Sequence, residues 1–400
     1  MRSLIILGST GSIGENTLRV VRDHRQTFRV AGLAARTRVD RLIEQALAFD
    51  VKQVAVADPE AARRAAVLAK PYGIRVFTGA EGICRMVEDT EADLVLCALV
   101  GMSGLKPSLA ALHTHKRLAL STKEVLVSAG ELVMRERLRC GVPILPVDSE
   151  HSAIFQALQS AAFDPFCVSR AEEDGRGAED RIGRLVLTAS GGPFFAHPEV
   201  DFDRVTREQA LNHPKWNMGP KVTVDSATMM NKGLEILEAR WLFNIPVDRI
   251  DVLVHPQSIV HSLVTFRDGA TLAQLSPPDM RLPIQFALTW PERLPSSLPT
   301  LDLAATGGLT FCPPDESRFP CLRLAREAMR VGGTLPAVMN GADEIAVAAF
   351  LEGRIPFSGI WSVVEQVMEG HDPMACDDLE NISAADAWAR RQAEETIRRG

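Results

Sequence analysis

The 400-residue sequence predicts an α/β protein in three parts: a doubly wound N-terminal domain, a central α+β domain and a C-terminal helical bundle. Three observations carry this. Short apolar runs alternate with amphipathic stretches up to residue 148, strand-like runs follow one another without helices between 252 and 275, and only helical patterns remain from Cys321 onward. A chain of this length also exceeds what one hydrophobic core holds. The expected divisions are 1–148, 149–290 with a lid loop at 190–220, a linker at 291–315 and the helical part at 316–400.

In the first domain the strand candidates are 4–7, 28–35, 54–57, 74–77, 94–99, 118–121 and 144–147. Helical patterns fill the gaps, for example 39–49 and 59–70, the second with proline at its start. Alternation at this spacing requires a parallel sheet with helices on both faces. The central part opens with a charged, glycine-containing stretch at 170–180 that reads as a surface loop. A strand at 185–188, a long irregular stretch at 191–220 and a helix at 227–243 follow. The runs 252–254, 260–266 and 271–275, with no helix between them, read as antiparallel neighbours. Pro, Leu, Thr and Gly dominate 291–314, as in a linker. Four helices, 322–330, 336–351, 359–368 and 384–399, then suggest a small bundle.

Composition removes several function classes. The formal charge is −7 and the basic residues are scattered, which argues against a nucleic-acid partner. No apolar run reaches the roughly 18 residues of a membrane helix. The apolar run Leu4-Ile5-Ile6-Leu7 leaves no room for a signal peptide before it, so the expected location is the cytoplasm. Seven cysteines without a CxxC pair read as reduced thiols, with no support for a structural zinc site.

Gly8-Ser9-Thr10-Gly11-Ser12-Ile13-Gly14 directly follows the first strand and leads into a helix. Glycines there permit a sharp turn and close approach to a pyrophosphate, which the helix N-terminus then attracts. The spacing GxxGxxG is looser than GxGxxG, and its strand–turn–helix setting supplies the specificity, giving a Rossmann-like dinucleotide site. The second strand ends in Arg36-Thr37-Arg38, without the acidic residue that binds an NAD ribose. Two guanidiniums suit a 2′-phosphate, so NADPH is favoured, against the plain alternative of solvated arginines.

The last strand of this domain runs into Asp148-Ser149-Glu150-His151. Residues two apart in an extended segment share a side, so Asp148 and Glu150 can present paired hard donors to a divalent cation. Acidic residues at strand ends are also common helix caps, and His151 is not taken as a ligand. Further on, Ser226, Asn231, Lys232 and Glu235 crowd into one helical entry. The first three could hold a phosphate and Glu235 could be a third carboxylate, although Lys and Glu on a helix are more often a solvated face. A glycine pair at Ser190-Gly191-Gly192, with His213, Trp216 and Met218 at the far end of the loop, suits a lid closing on substrate. Trp216 could instead pack against its own domain. His255 and His261 lie in β-rich segments and are left out of the site.

Taken together, residues 8–14, 146–151, 190–194, 213–219, 224–235, 255–258 and 278–281 resemble the 1-deoxy-D-xylulose 5-phosphate reductoisomerase family of the non-mevalonate isoprenoid pathway. The order agrees and the likeness spans nearly the whole chain. The resemblance implies NADPH and a divalent metal (Mg, Mn or Co) as cofactors, a sugar phosphate as substrate and a homodimer. It makes Asp148, Glu150 and Glu235 the metal ligands and sets Lys123 and Ser149 against the hydroxyl and carbonyl region of the substrate. Ser190, Ser226, Asn231 and Lys232 would bind the phosphate, with His213 closing over it and Trp216 and Met218 in the lid. On the cofactor side it implicates Thr10, Gly11, Ser12, Ile13, Arg36, Thr37, Arg38, Thr122, Glu124, Gly219 and Met280, the last near the nicotinamide. The implied reaction is a metal-assisted carbon–carbon rearrangement, usually described as retro-aldol then aldol, followed by hydride transfer to the resulting aldehyde.

Two departures stand out. The family usually has Asn-Lys-Glu where this chain has Thr122-Lys123-Glu124, and Gly-x-Asn where it has Arg36-Thr37-Arg38. Neither touches the expected metal ligands. Another NADP-linked dehydrogenase, or a regulator that senses the dinucleotide, would share the glycine loop but would need no third carboxylate at Glu235.

Overall fold

The computed structural model describes residues 1–159, 181–216 and 218–399. The stretch expected as a surface loop at 170–180, together with Cys167 and Asn217, lies outside the described residues. The chain divides into two units, neither continuous in sequence. The first holds Met1–Val125, Val133–Ser152 and Asp279–Pro299, and the second holds Leu126–Leu132, Ala153–Pro278 and Thr300–Gly400. The divisions read from the sequence were unbroken spans.

In order, the first elements are β1 (Arg2–Leu7), α1 (Ser12–Asp23), β2 (Phe28–Ala35), α2 (Val39–Ala48), β3 (Gln53–Val56), α3 (Pro59–Ala69) and β4 (Arg75–Thr78). Then come α4 (Gly79–Asp89), β5 (Leu94–Cys97), α5 (Leu105–His113), β6 (Arg117–Leu120), α6 (Glu124–Cys140), β7 (Ile144–Pro146) and α7 (Ser149–Gln159). Their sheet runs β4-β3-β2-β1-β5-β6-β7 and is parallel throughout, as the strand–helix alternation predicts. Central strand β1 buries Leu4, Ile5, Ile6 and Leu7 completely, which is why it reads as an unbroken apolar run. Helix α3 starts where Asp58 accepts a hydrogen bond from the Ala61 amide and Pro59 takes the first turn. Successive strands proceed outward from β1 to β4, then resume on its other side at β5. That reversal is the topological switch where such sheets bind ligands.

The second unit begins with β8 (Ile182–Ala189), α8 (Arg207–Leu211), α9 (Pro220–Thr228), α10 (Met230–Phe243), β9 (Ile250–Val254), β10 (Val260–Phe266) and β11 (Thr271–Leu275). Its sheet order is β11-β10-β8-β9. Strand β10 is antiparallel to both β11 and β8, but β9 lies on the far side of β8 and is parallel to it. The expected run of three antiparallel neighbours is corrected accordingly. Strand β8 comes earlier in the chain and takes the middle place, burying Leu185 and Leu187 fully, and apolar periodicity carries no record of that non-local choice.

Two further expectations change. The helix expected at 227–243 is broken at Met229, which is left-handed at φ 62°, and Met230 restarts it with its amide on the Thr228 hydroxyl. The irregular stretch before it contains α8, opened by a reciprocal capping box between Thr206 and Gln209. That Thr-x-x-Gln signal was present in the sequence.

Helix α11 (Arg281–Thr289) belongs to the first unit and packs on α1, where His24 Nε2 lies 3.2 Å from Gln285 Oε1. The expected linker holds a short helix, α12 (Leu303–Thr306), and Cys312 bridges to Val254 at the end of β9. Four helices complete the second unit: α13 (Cys321–Val331), α14 (Leu335–Leu351), α15 (Gly359–Glu369) and α16 (Leu379–Arg399). Helix α14 packs on the other three and buries Ala337, Val338, Met339, Ala342 and Ala346 completely. Phe194 and Phe202, from the segment after β8, meet Phe357 of this bundle at centroid distances of 5.3 and 5.4 Å. The described cysteines are free thiols, and among the described residues no helix is long and apolar enough to cross a membrane.

Candidate active site

The glycine loop sits at the switch point of the first unit. Gly8 is left-handed (φ 85°) and a Cβ there would lie 2.3 Å from the Ala98 carbonyl oxygen at the end of β5. A Cβ on Gly14 would lie 2.4 Å from both the Gly8 oxygen and the Ser9 Cα. Both positions therefore require glycine, and the tight turn delivers Thr10, Gly11, Ser12 and Ile13 to the start of α1. Gly11 caps α1 without a side-chain hydrogen bond, leaving the first-turn amides to an anion.

Sequence reading missed the supports of this loop. Gln45 of α2, nearly fully buried, donates to the Ser9 carbonyl at 3.0 Å and to Glu15 at 2.9 Å. The Arg41 guanidinium holds Glu15 at 2.7 and 2.8 Å and keeps its carboxyl below the ordinary value. A polar glutamine within the buried stripe Leu42, Ile43 and Ala46 was the available signal. Arg36, Thr37 and Arg38 are exposed at the end of β2, and the Arg38 guanidinium donates to the Thr10 carbonyl. One of the two arginines read as phosphate partners thus already touches the loop. Thr122, after β6, donates its hydroxyl to the Leu99 carbonyl beyond β5, so it ties two strand ends together. Glu124 opens α6 and is half-buried. Met280 caps α11 and so stands in the same unit as the glycine loop.

At the end of β7 the Lys123 ammonium lies 2.5 Å from Asp148 Oδ2. Asp148 Oδ1 also accepts from the Ser149 amide at 3.0 Å, and carboxylate oxygens of Asp148 and Glu150 come within 4.8 Å of each other. The route differs from the one read in sequence. Ser149 already begins α7, so Glu150 lies in a helical first turn, not in an extended segment, and Asp148 is both helix cap and carboxylate donor. The Ser149 hydroxyl donates to Glu150. His151 is wholly buried, with Nδ1 4.0 Å from Asp148 Oδ2.

The second unit holds the other expected site residues. Glu235 is 1 % exposed; Asn231 Nδ2 donates to its Oε1 at 2.5 Å and the Lys232 ammonium pairs with its Oε2. Four and three residues before Glu235, Asn231 and Lys232 both reach it along α10, and the break at Met229 places them at a helix N-terminus, where an anion is favoured. The Ser190 hydroxyl lies 2.9 Å from His213 Nε2 and accepts from the Gly192 amide at 3.2 Å. A Cβ on Gly192 (φ 62°) would lie 2.6 Å from the Ser226 carbonyl oxygen, so the loop after β8 abuts α9 at Ser226. His213 Nδ1 accepts from the amides of Lys215 and Trp216 at 3.1 and 2.9 Å. Trp216 and Met218 are half-buried, and Gly219 caps α9 with its carbonyl on the amide and hydroxyl of Thr223.

A dinucleotide loop at a sheet switch, in a chain that also builds a buried carboxylate beside lysine and asparagine, defines a dinucleotide-dependent oxidoreductase. Known proteins narrow the class. Three family models cover most of the chain: 1-deoxy-D-xylulose 5-phosphate reductoisomerase at residues 4–130, its C-terminal domain at 144–243, and the DXP reductoisomerase C-terminal domain at 275–392. The 1-deoxy-D-xylulose 5-phosphate reductoisomerase of Symbiobacterium thermophilum is 52 % identical over 398 residues, 98 % of each chain. That of Moorella thermoacetica is 50 % identical over 392 residues, covering 98 % of this chain and 97 % of its own. Among solved structures, the Zymomonas mobilis reductoisomerase in complex with NADPH superposes with a TM-score of 0.89 at 39 % identity, over 99 % of both chains. A DOX-P reductoisomerase in complex with NADPH, fosmidomycin and magnesium gives 0.92 at 39 % identity, over 100 % of this chain and 98 % of that one. The chain belongs to the 1-deoxy-D-xylulose 5-phosphate reductoisomerase family.

Proposed function

We propose the following division of labour for the reaction of this family, the metal-dependent rearrangement and NADPH-dependent reduction of 1-deoxy-D-xylulose 5-phosphate to 2-C-methyl-D-erythritol 4-phosphate. The glycine loop fits NADPH because added methyl groups at Gly8 and Gly14 would occupy the space in which its backbone turns. Thr10, Gly11, Ser12 and Ile13 hold the pyrophosphate, and Arg36, Thr37 and Arg38 take the 2′-phosphate. Thr122, Glu124, Gly219 and Met280 border the cofactor, with Met280 toward the nicotinamide. Asp148, Glu150 and Glu235 fit a hard divalent cation such as Mg²⁺, Mn²⁺ or Co²⁺, since all three offer carboxylate oxygen. Bound there, NADPH supplies hydride and the cation supplies Lewis acidity.

The chain's own residues bind, orient and exclude water. Ser190, Ser226, Asn231 and Lys232 hold the substrate phosphate. His213 can only donate from Nε2, because its Nδ1 already accepts two amides, so its contact with Ser190 leaves the serine proton to be given to a phosphate oxygen. Lys123, beside Asp148, carries positive charge to the reacting oxygens, and Ser149 offers a hydroxyl to the same region. Trp216 and Met218 cover the substrate and keep water from it. We also read the chain as a cytoplasmic homodimer without nucleic-acid or membrane partners.

The observation that carries this reading is Glu235. A buried carboxylate sharing a helical face with Asn231 and Lys232 has no use in simple hydride transfer. The test is direct: purified protein, NADPH, 1-deoxy-D-xylulose 5-phosphate and Mg²⁺, Mn²⁺ or Co²⁺ should consume NADPH. No consumption with any of the three cations would overturn the assignment.

A further inference from the structure

We propose that Asp343, on α14 of the C-terminal helices, is a positioning residue for the phosphate-binding helix α9, acting through the ammonium of Lys221. The inference rests on the assignment of Ser226 to the substrate phosphate. Lys221 stands in the first turn of α9, where the lid segment ends, and Ser226 stands near its other end. The Lys221 ammonium lies 2.5 Å from Asp225 Oδ2 on the same helix and 2.8 Å from Asp343 Oδ2. Asp225 is the lysine's i,i+4 partner on its own helix. Asp343 adds a second carboxylate, from a distant segment, at complete burial.

Buried ion pairs are poor sources of stability, because desolvation offsets attraction, but they are strict in geometry. Asp343 therefore supplies direction: a fixed point on α14, itself packed on three helices, that sets the rotation and axial position of α9. The neighbouring α10 has its own support. Ser226 abuts Gly192, and α10 rests on α13, where a Cβ on Gly233 would lie 2.7 Å from the Ala325 methyl and 3.2 Å from the Cys321 oxygen. Binding groups must hold position to within about 0.5 Å. Release of the anchor at Asp343 lets Ser226 leave that range while Asn231 and Lys232, on α10, keep theirs.

The experiment compares wild type, Asp343→Asn and Asp343→Leu with NADPH, Mg²⁺ and 1-deoxy-D-xylulose 5-phosphate. Asp343→Asn keeps the shape without the charge, and Asp343→Leu removes the second carboxylate altogether while Asp225 still pairs with Lys221. Both should raise KM for the sugar phosphate roughly ten-fold, leaving kcat within about three-fold, the size of effect that remote residues exert through packed elements. The Kd for NADPH should not change, and the raised KM should persist at temperatures well below the melting transition of each variant. A wild-type KM in Asp343→Leu overturns the proposal. So does a KM that rises only in step with lost NADPH affinity and a lower melting temperature, or failure of both variants to fold, since either assigns Asp343 to stability alone. Absence of turnover in the wild type would instead sink the functional reading, and this inference with it.

Discussion

At the scale of single residues, His213 shows how a tautomer follows from backbone geometry. Two amides point at Nδ1, so the ring proton belongs on Nε2, facing Ser190. Burial lowers the pKa of His213 from the ordinary 6.5, which keeps the ring neutral near pH 7. The sign follows by linkage. The unfolded chain takes up a proton that the folded one resists, so the stability His213 gives its loop is present above 6.5 and declines as pH falls through and below it. KM for the sugar phosphate should therefore climb between about pH 7.5 and 5.5 while NADPH affinity holds; a flat KM across that range would remove His213 from the lid. Glu235→Gln keeps the size but turns one accepting oxygen into a donating amide and removes the charge of a proposed metal ligand. Turnover should drop at least about 100-fold with NADPH binding intact, measurable by cofactor fluorescence, and near-normal turnover would exclude Glu235 from the metal site.

At the scale of elements, the β1–loop–α1 unit is decided by two glycines and by α2 beneath them. Gly14→Ala forces a methyl to 2.4 Å from the Gly8 oxygen and the Ser9 Cα, both backbone atoms that cannot rotate away. Overpacking of this kind costs about 1–3 kcal/mol, so NADPH should bind at least about ten-fold more weakly. Titration of the variant showing wild-type affinity would contradict the cradle. The double replacement of Arg36 and Arg38 by Ala separates phosphate recognition from loop support. Charge-assisted hydrogen bonds contribute about 1.5–3 kcal/mol, and their loss should weaken NADPH more than NADH. An equal loss for both would leave Arg38 only its contact with the Thr10 carbonyl. The α9–α10 break belongs to this scale too. Met229 in the left-handed region ends one helix and starts another, which turns a stretch with the pattern of one helix into a helix N-terminus bearing Asn231 and Lys232.

At the scale of the whole molecule, chelation of divalent metal should abolish turnover while leaving the melting transition and NADPH binding in place, because burial of apolar side chains rather than a metal holds each unit together. Loss of the fold on chelation, seen by circular dichroism, would make the metal structural. A homodimer predicts a mass twice the 43.7 kDa of the chain by light scattering. Among the described residues the sheet of the second unit ends at strand β11, whose outer edge is where the strand of a second copy would pair.

The sequence by itself determined the local decisions. The strands of the parallel sheet, the glycine loop, the proline-led α3 and the C-terminal helices all follow from contacts within a few residues, where periodicity and turn chemistry act. It also supplied the residues proposed for the site, including Lys123, Asp148, Glu150 and Glu235. Only the tertiary structure decided which distant segments meet: β8 between β9 and β10, Asp279–Pro299 in the nucleotide unit, Gln45 under Ser9 and Asp343 on Lys221. Those choices depend on burying shared surface between elements far apart in the chain. No local pattern records them, because the apolar face of a helix or strand specifies that it must be covered, not by what.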